Sequence, residues 1–198
     1  MCLLLETIKL NGGILENLFY HNARLNAARE ELFGEPSAIR LEKEIWIPDE
    51  LKNGVFRCRV TYGRSIHNIE FVPVLSRNFR SLKVVRHDRL DYHLKYADRT
   101  QLNELYAQRE NADEIIVIRN GTITDCTIGN LVLFDGERWI TPDTPLLKGT
   151  QRQALLDRKL ITEERIRETD LPCFLKVGII NALFNLENMP VIKKNNIF

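Results

Sequence analysis

The stretch EIIVIRNGTITDCTIGNLVLFDGERWIT, residues 114–141, holds four short runs, Glu114–Ile118, Thr122–Thr124, Leu131–Phe134 and Arg138–Thr141. Asn120-Gly121 and Asp135-Gly136 punctuate them, and both dipeptides favour the left-handed backbone of tight hairpin turns. Strands that follow one another through turns, with no helix between them, build antiparallel sheet rather than regular βαβ units. This stretch therefore predicts an α+β fold.

The same reading extends outward. A helix is expected from about Tyr96 to Glu110, with Leu102, Leu105 and Tyr106 at helical spacing. Leu147-Lys148-Gly149-Thr150 reads as a turn opening a helix over Thr150–Leu160, followed by a short helix near Glu163–Arg167 and strands near Phe174–Ile180 and Met189–Ile192. Toward the N-terminus, Leu3–Leu10 reads as a strand, Asn11-Gly12-Gly13 as a turn and Ile14-Leu15 as the start of a second strand. An amphipathic helix is expected over Glu16–Phe33, carried by Leu18, Phe19, Leu25, Ala28 and Leu32 and stopped by Gly34 and Pro36. Val55–Tyr62 and Ser65–Leu75 form a hairpin about Gly63. The polar segment 79–91 reads as a connector, which divides the chain into a small α+β domain, 1–78, and a larger one, 92–198.

Charge and cysteine usage exclude several classes. With a net charge of +1 there is no basic footprint for nucleic acid or an anionic membrane. Lys176, Gly178 and Asn181 interrupt the most apolar stretch, near Phe174–Phe184, which is too short to span a bilayer. No basic segment precedes Leu3-Leu4-Leu5, so a secretory leader is not expected. Cys2, Cys58, Cys126 and Cys173 are far apart and form no CxxC pair, which argues against a disulfide framework or a metal site and for reduced thiols in the cytoplasm.

Taken singly, the candidate chemical groups are ordinary. Lys95 reads as a solvated charge, Asp125 as a turn residue, Arg24 as an exposed helical charge and Gly149-Thr150 as a helix start. Their order and company change the reading. Glu6-Thr7-Ile8-Lys9 is similar to an F-E-T-x-R strand, and His21-Asn22-Ala23-Arg24-Leu25 to an H-x-x-R-L helix. Lys95 with Asp98 and Arg99 is similar to K-x-x-N-R. Asn111-Ala112-Asp113-Glu114, Thr124-Asp125-Cys126 and Asn130-Leu131 follow the order A-D-E … T-E-x-x-x-x-N-[IL]-F. Leu147–Arg152 is similar to L-x-G-[IV]-T-R, and Asn181-Ala182-Leu183 with Met189-Pro190-Val191 to N-A-L … P-V. Together these stretches resemble the class IV aminotransferase family, the fold-type IV enzymes that use pyridoxal 5'-phosphate (PLP). The local motifs are nearest to 4-amino-4-deoxychorismate lyase.

The resemblance implies a two-domain α+β fold with a short N-terminal domain, PLP as cofactor, a small-molecule amine as substrate and a homodimer. It implies that Lys95 forms the Schiff base and serves as general base, and that Asp125 meets the ring nitrogen. Arg24 and the amides of Thr150 and Gln151 would hold the phosphate, with Leu147 on the ring face and Ala182 lending an amide. The family's usual acid is glutamate, one methylene longer than Asp125. Gln151 replaces the threonine of the phosphate turn, although Thr150 precedes it. The chain begins at the F-E-T strand, without the family's glycine-rich loop. The expected activity is cleavage of 4-amino-4-deoxychorismate to 4-aminobenzoate and pyruvate. Transamination of branched-chain or D-amino acids, or a non-catalytic PLP-binding homologue, are the alternatives.

Overall fold

The computed structural model describes residues 2–75 and 78–198. The chain forms two compact units, Met1–Ser76 with Leu94–Asp98, and Arg77–His93 with Arg99–Phe198. The expected end of the first domain at residue 78 adjoins residues 76–77, which lie outside the described residues.

In the first unit, β1 (Leu4–Asn11) and β3 (Val55–Tyr62) are central in a four-stranded sheet whose edges are β2 (Ile14–Leu15) and β4 (Ile66–Pro73), all antiparallel. Side chains alternate between sheet faces, so Leu4, Ile8 and Leu10 share one face of β1, and Cys58, Val60 and Tyr62 share one face of β3. These residues pack with Leu25, Ala28, Leu41 and Leu94 into one core. Helix α1 (Leu18–Phe33) ends at Gly34, whose φ of 61° lets its N–H reach the Glu30 carbonyl at 2.9 Å. A short helix, α2 (Leu41–Glu44), was not anticipated.

The buried face of α1 differs from the expected one. His21, Leu25, Ala28 and Arg29 are buried, whereas Phe19 is 76% exposed and Leu32 38%. At 100° per residue, positions 21, 25, 28 and 29 lie on one side and Phe19 does not. Two polar residues occupy the core face because each finds partners there.

The second unit holds two sheets. β5 (Leu82–Arg86), β6 (Glu114–Arg119) and β7 (Thr122–Ile123) form one, with β5 and β6 parallel. β10 (Thr162–Glu164), β9 (Trp139–Pro142), β8 (Asn130–Phe134), β11 (Lys176–Ile180) and β12 (Val191–Lys193) form the other, in that order. Leu82, Ile116, Ile118, Leu131, Leu133, Val177 and Ile179 build the main core of this unit. Two helices, α3 (Thr100–Ala107) and α4 (Thr150–Asp157), complete it.

Three segments depart from the sequence reading. The expected connector 79–91 contains β5, where Leu82 and Val85 are buried and all five residues pair with β6. The expected helix near 163–167 is instead β10, pairing in parallel with β9 through exposed Thr162, Glu163 and Glu164, which carry no apolar signal. Finally, Leu94–Asp98 lies with the first unit and not with the rest of 92–198. Its backbone extends the sheet beside β1: the Leu5 N–H donates to the Lys95 carbonyl at 2.8 Å, and Ala97 donates to Leu3 at 2.9 Å. No described helix is long and apolar enough to cross a membrane.

Candidate active site

In the first unit, Glu6 falls on the same face of β1 as Leu4 and Ile8, and is fully buried. His21 and Arg24, spaced i and i+3, meet it from α1. Arg24 donates from Nε to Glu6 Oε1 at 2.8 Å and from Nη2 to Oε2 at 2.5 Å, and His21 Nδ1 lies 2.6 Å from Oε2. Burial by itself raises the Glu6 pKa, but the Arg24 charge and the His21 contact hold it down at about 2. Burial lowers the pKa of His21; the Glu6 contact works against this, and the charges of Arg24 and Lys95 add to it. Glu6 is thus a carboxylate and His21 a neutral imidazole whose Nδ1–H donates to it.

Lys95 is half-buried beside this cluster, in electrostatic reach of His21, with its backbone fixed by the Leu5 bond. Arg24 and Lys95, both expected site residues, therefore belong to one neighbourhood. Arg24, expected at the phosphate, makes a two-bond clamp on Glu6 that motif reading did not assign. The signal was present as a lone acid on the core face of a strand.

On β3 the odd positions face away from the core. Arg59 pairs with Glu70 at 2.9 Å across to β4, both about two-fifths exposed. Tyr62, on the opposite face, is buried, and desolvation followed by the nearby Glu6 charge drives its pKa upward.

The second unit gathers the remaining expected residues. Asp125 lies just before β8 and is 4% exposed. Its Oδ1 accepts from Asn130 Nδ2 at 2.8 Å, and its Oδ2 from the Leu147 N–H at 3.0 Å. Burial pushes its pKa up to about 6, and these hydrogen bonds with the Arg152 charge offset only part of that. Leu147 is half-buried, and two residues on, Gly149 is the N-cap of α4. Thr150 and Gln151 are buried in the first turn of α4, which carries no acidic residue and no side-chain cap. Arg152 is 4% exposed and bound to Thr141 Oγ1, the Pro142 carbonyl and Glu163, so it braces the helix against β9 and β10.

Ala182 is half-buried in the turn after β11, where Asn181 Oδ1 accepts from the N–H groups of Leu183 and Phe184. Asn181 Nδ2 donates to the Ile128 carbonyl at 3.1 Å, which stacks this turn on the one that follows Asp125. That turn is itself braced by Glu114, a buried carboxyl on β6 accepting from Thr127 Oγ1 at 2.8 and 2.9 Å, while Arg99 donates to the Thr127 carbonyl at 2.6 Å. Burial raises the Glu114 pKa. Cys126 donates its thiol to the Gly129 carbonyl and is buried, with its pKa raised well above the ordinary thiol value by desolvation, which suits a packing residue. Among the described residues no cluster of His, Cys, Asp and Glu could hold a metal ion.

Residues 3–191 match the amino-transferase class IV family. An uncharacterised protein of Haemophilus influenzae is 39% identical over 186 residues, covering 92% of this chain and 98% of that protein. A crystal structure from Haemophilus somnus 129pt, provisionally named a 4-amino-4-deoxychorismate lyase, superposes with a TM-score of 0.89 at 37% identity, covering 94% of this chain and 98% of the other. A provisionally named amino-acid aminotransferase from Mesorhizobium loti shares the fold at 21% identity, with a TM-score of 0.81 over the whole of both chains. The chain belongs to the class IV aminotransferases, a family of PLP-dependent enzymes.

Proposed function

We propose that this chain binds PLP on Lys95 and cleaves 4-amino-4-deoxychorismate to 4-aminobenzoate and pyruvate. The observation that carries the cofactor part is Asp125. A buried carboxyl whose ionisation is opposed by burial, yet which is oriented by two donors, fits a cationic ring nitrogen as its partner. The first turn of α4, free of acidic side chains, fits a phosphate through its backbone N–H groups and the positive end of the helix dipole. The residues of the second unit therefore fit the ring nitrogen and the phosphate of the group.

PLP, when bound, supplies an electron sink for the bond-breaking at the substrate carbon. The chain supplies the rest. Lys95 Nζ would hold the cofactor aldehyde, and the same amine would serve as general base toward the carbon bearing the substrate amine. Asp125 would keep the ring nitrogen protonated. By the family resemblance, Arg24, held by Glu6, and the amides of Thr150 and Gln151 would hold the phosphate, Leu147 would lie on the ring face and Ala182 would lend an amide. The name of the Haemophilus somnus relative and the motifs around Lys95, Asp125-Cys126 and Asn181-Ala182-Leu183 support the lyase reading. The reading includes a homodimer, as the family resemblance implies and as two-fold pairing, the commonest soluble assembly, would provide.

Two measurements test this. Borohydride reduction of the PLP-loaded protein followed by peptide mapping should place the pyridoxyl mass on Lys95, and Lys95→Ala should lose the visible absorption band; a band in wild type with neither lyase nor transaminase activity would indicate a non-catalytic PLP-binding homologue. Supplying aminodeoxychorismate should release 4-aminobenzoate. Keto-acid formation from amino acids and 2-oxoglutarate, with no aminobenzoate, would assign transamination instead.

A further inference from the structure

We propose that Asn130 is the positioning residue that locks the Asp125 carboxyl to the turn opening α4, so that the acid and the phosphate-binding turn keep one fixed spacing; this rests on the PLP reading above. Asn130 is buried and begins β8, a strand with neighbours on both sides in its sheet. Its Nδ2 donates to Asp125 Oδ1 and to the Leu147 carbonyl, each at 2.8 Å, which engages both amide hydrogens. The Leu147 N–H returns to Asp125 Oδ2 at 3.0 Å. Asp125 and Leu147 are therefore joined twice, once directly and once through Asn130.

The other end of the amide reaches the helix start. A Cβ added to Gly149 would lie 1.9 Å from Asn130 Oδ1 and 3.1 Å from its Cγ. Only glycine leaves room for the amide in this orientation, so residues 130 and 149 specify each other. This bracing has a particular use here. Asp125 is one methylene shorter than the glutamate of the motif it resembles, so its reach depends on where the surrounding turn is held. A rigid amide between the acid and the 147–149 turn sets that position, and its donated hydrogen bond favours the charged carboxylate that a ring N–H requires.

The test is a double-mutant cycle read as the dissociation constant of PLP from the apoprotein, followed by visible absorbance. Asn130→Ala and Gly149→Ala should each weaken PLP binding about ten- to a hundredfold, in keeping with loss of hydrogen bonds to a charged group. Gly149→Ala in the Asn130→Ala background should cost almost nothing further, because the clash has gone. The isosteric Asn130→Asp guards against misfolding of the truncated variant. It keeps the volume, removes both donated bonds and sets a like charge against Asp125, so it should weaken PLP equally and shift the position of the visible band. Losses that multiply in the double variant, or an Asn130→Asp protein with wild-type affinity and band, would overturn the inference while leaving the cofactor reading intact. Wild-type protein that takes up no PLP would overturn both.

Discussion

His21 Nδ1 lies 2.6 Å from Glu6 Oε2, and the two side chains are 1% and 0% exposed. Glu6 is held near a pKa of about 2 and that of His21 is lowered by burial, so the contact joins a carboxylate to a neutral imidazole. Arg24 supplies the balancing charge from the same helix, at 2.5 Å. One strand residue thereby fixes the orientation of two helix residues.

Glu6→Gln should remove that balance and leave Arg24, 16% exposed, without its counter-ion. Breaking a buried pair from one side typically destabilises by about 3–5 kcal/mol. Denaturant unfolding of the apoprotein should show a loss in this range. A variant as stable as wild type would mean that the clamp contributes little.

Acid should unfold the protein partly through this cluster. The folded pKa of Glu6 is depressed from 4.5 to about 2, so its stabilisation is complete above 4.5 and lost as pH falls toward 2, on the order of 3 kcal/mol in all. His21, also depressed, adds a loss that begins as pH falls below its ordinary value of 6.5. Stability measured from pH 7 down to pH 2 should decline in wild type, with the lower part of that decline reduced in Glu6→Gln. Parallel curves for the two proteins would exclude the assignment.

Asp125 should act with the opposite sign. Its folded pKa is raised from 3.8 to about 6, so its contribution to apoprotein stability is present below 3.8 and lost as pH rises through 6, again on the order of 3 kcal/mol. The stability difference between wild type and Asp125→Asn should therefore shift against wild type between pH 4 and 7. PLP should reverse this at pH 7, because a ring cation favours the carboxylate. In the loaded enzyme Asp125→Asn should cut turnover severely while retaining the cofactor; near-normal turnover would give the role to another acid.

Arg29→Met should destabilise the first unit by about 2–4 kcal/mol, since the hydrogen bonds of a buried guanidinium to three partners are lost. Arg29 is 2% exposed, and its guanidinium donates to the Arg64 carbonyl at 2.6 and 3.0 Å, to Asn26 Oδ1 at 3.1 Å and to the Ser37 carbonyl. A thermal midpoint unchanged by this substitution would show that water replaces those bonds without cost.

Turn chemistry and strand alternation were legible without coordinates. Asn11-Gly12-Gly13, Asn120-Gly121 and Asp135-Gly136 mark real turns, Gly34 stops α1, and Val55–Tyr62 is a strand over the expected residues. These are local signals: a positive φ or a two-residue period is encoded by the residues that adopt it. β5 and β10 were not legible, because each is a strand only through its partner. Lys83 and Arg86 made 79–91 look like a linker until β6 supplied the ladder, and Thr162–Glu164 pairs with β9 without any buried side chain.

The same division runs through the site. The sequence by itself determined the family and the candidate residues, since Lys95, Asp125 and the Leu147–Arg152 turn stand in a readable order. The protonation and orientation of those groups were decided by tertiary structure alone. Glu6 is a strongly acidic carboxylate because α1 brings Arg24 and His21 to it, and Asp125 resists ionisation because its burial outweighs the hydrogen bonds from Leu147 and Asn130. A pKa depends on desolvation and on charges a few ångströms away, and neither distance nor burial is written in residue order.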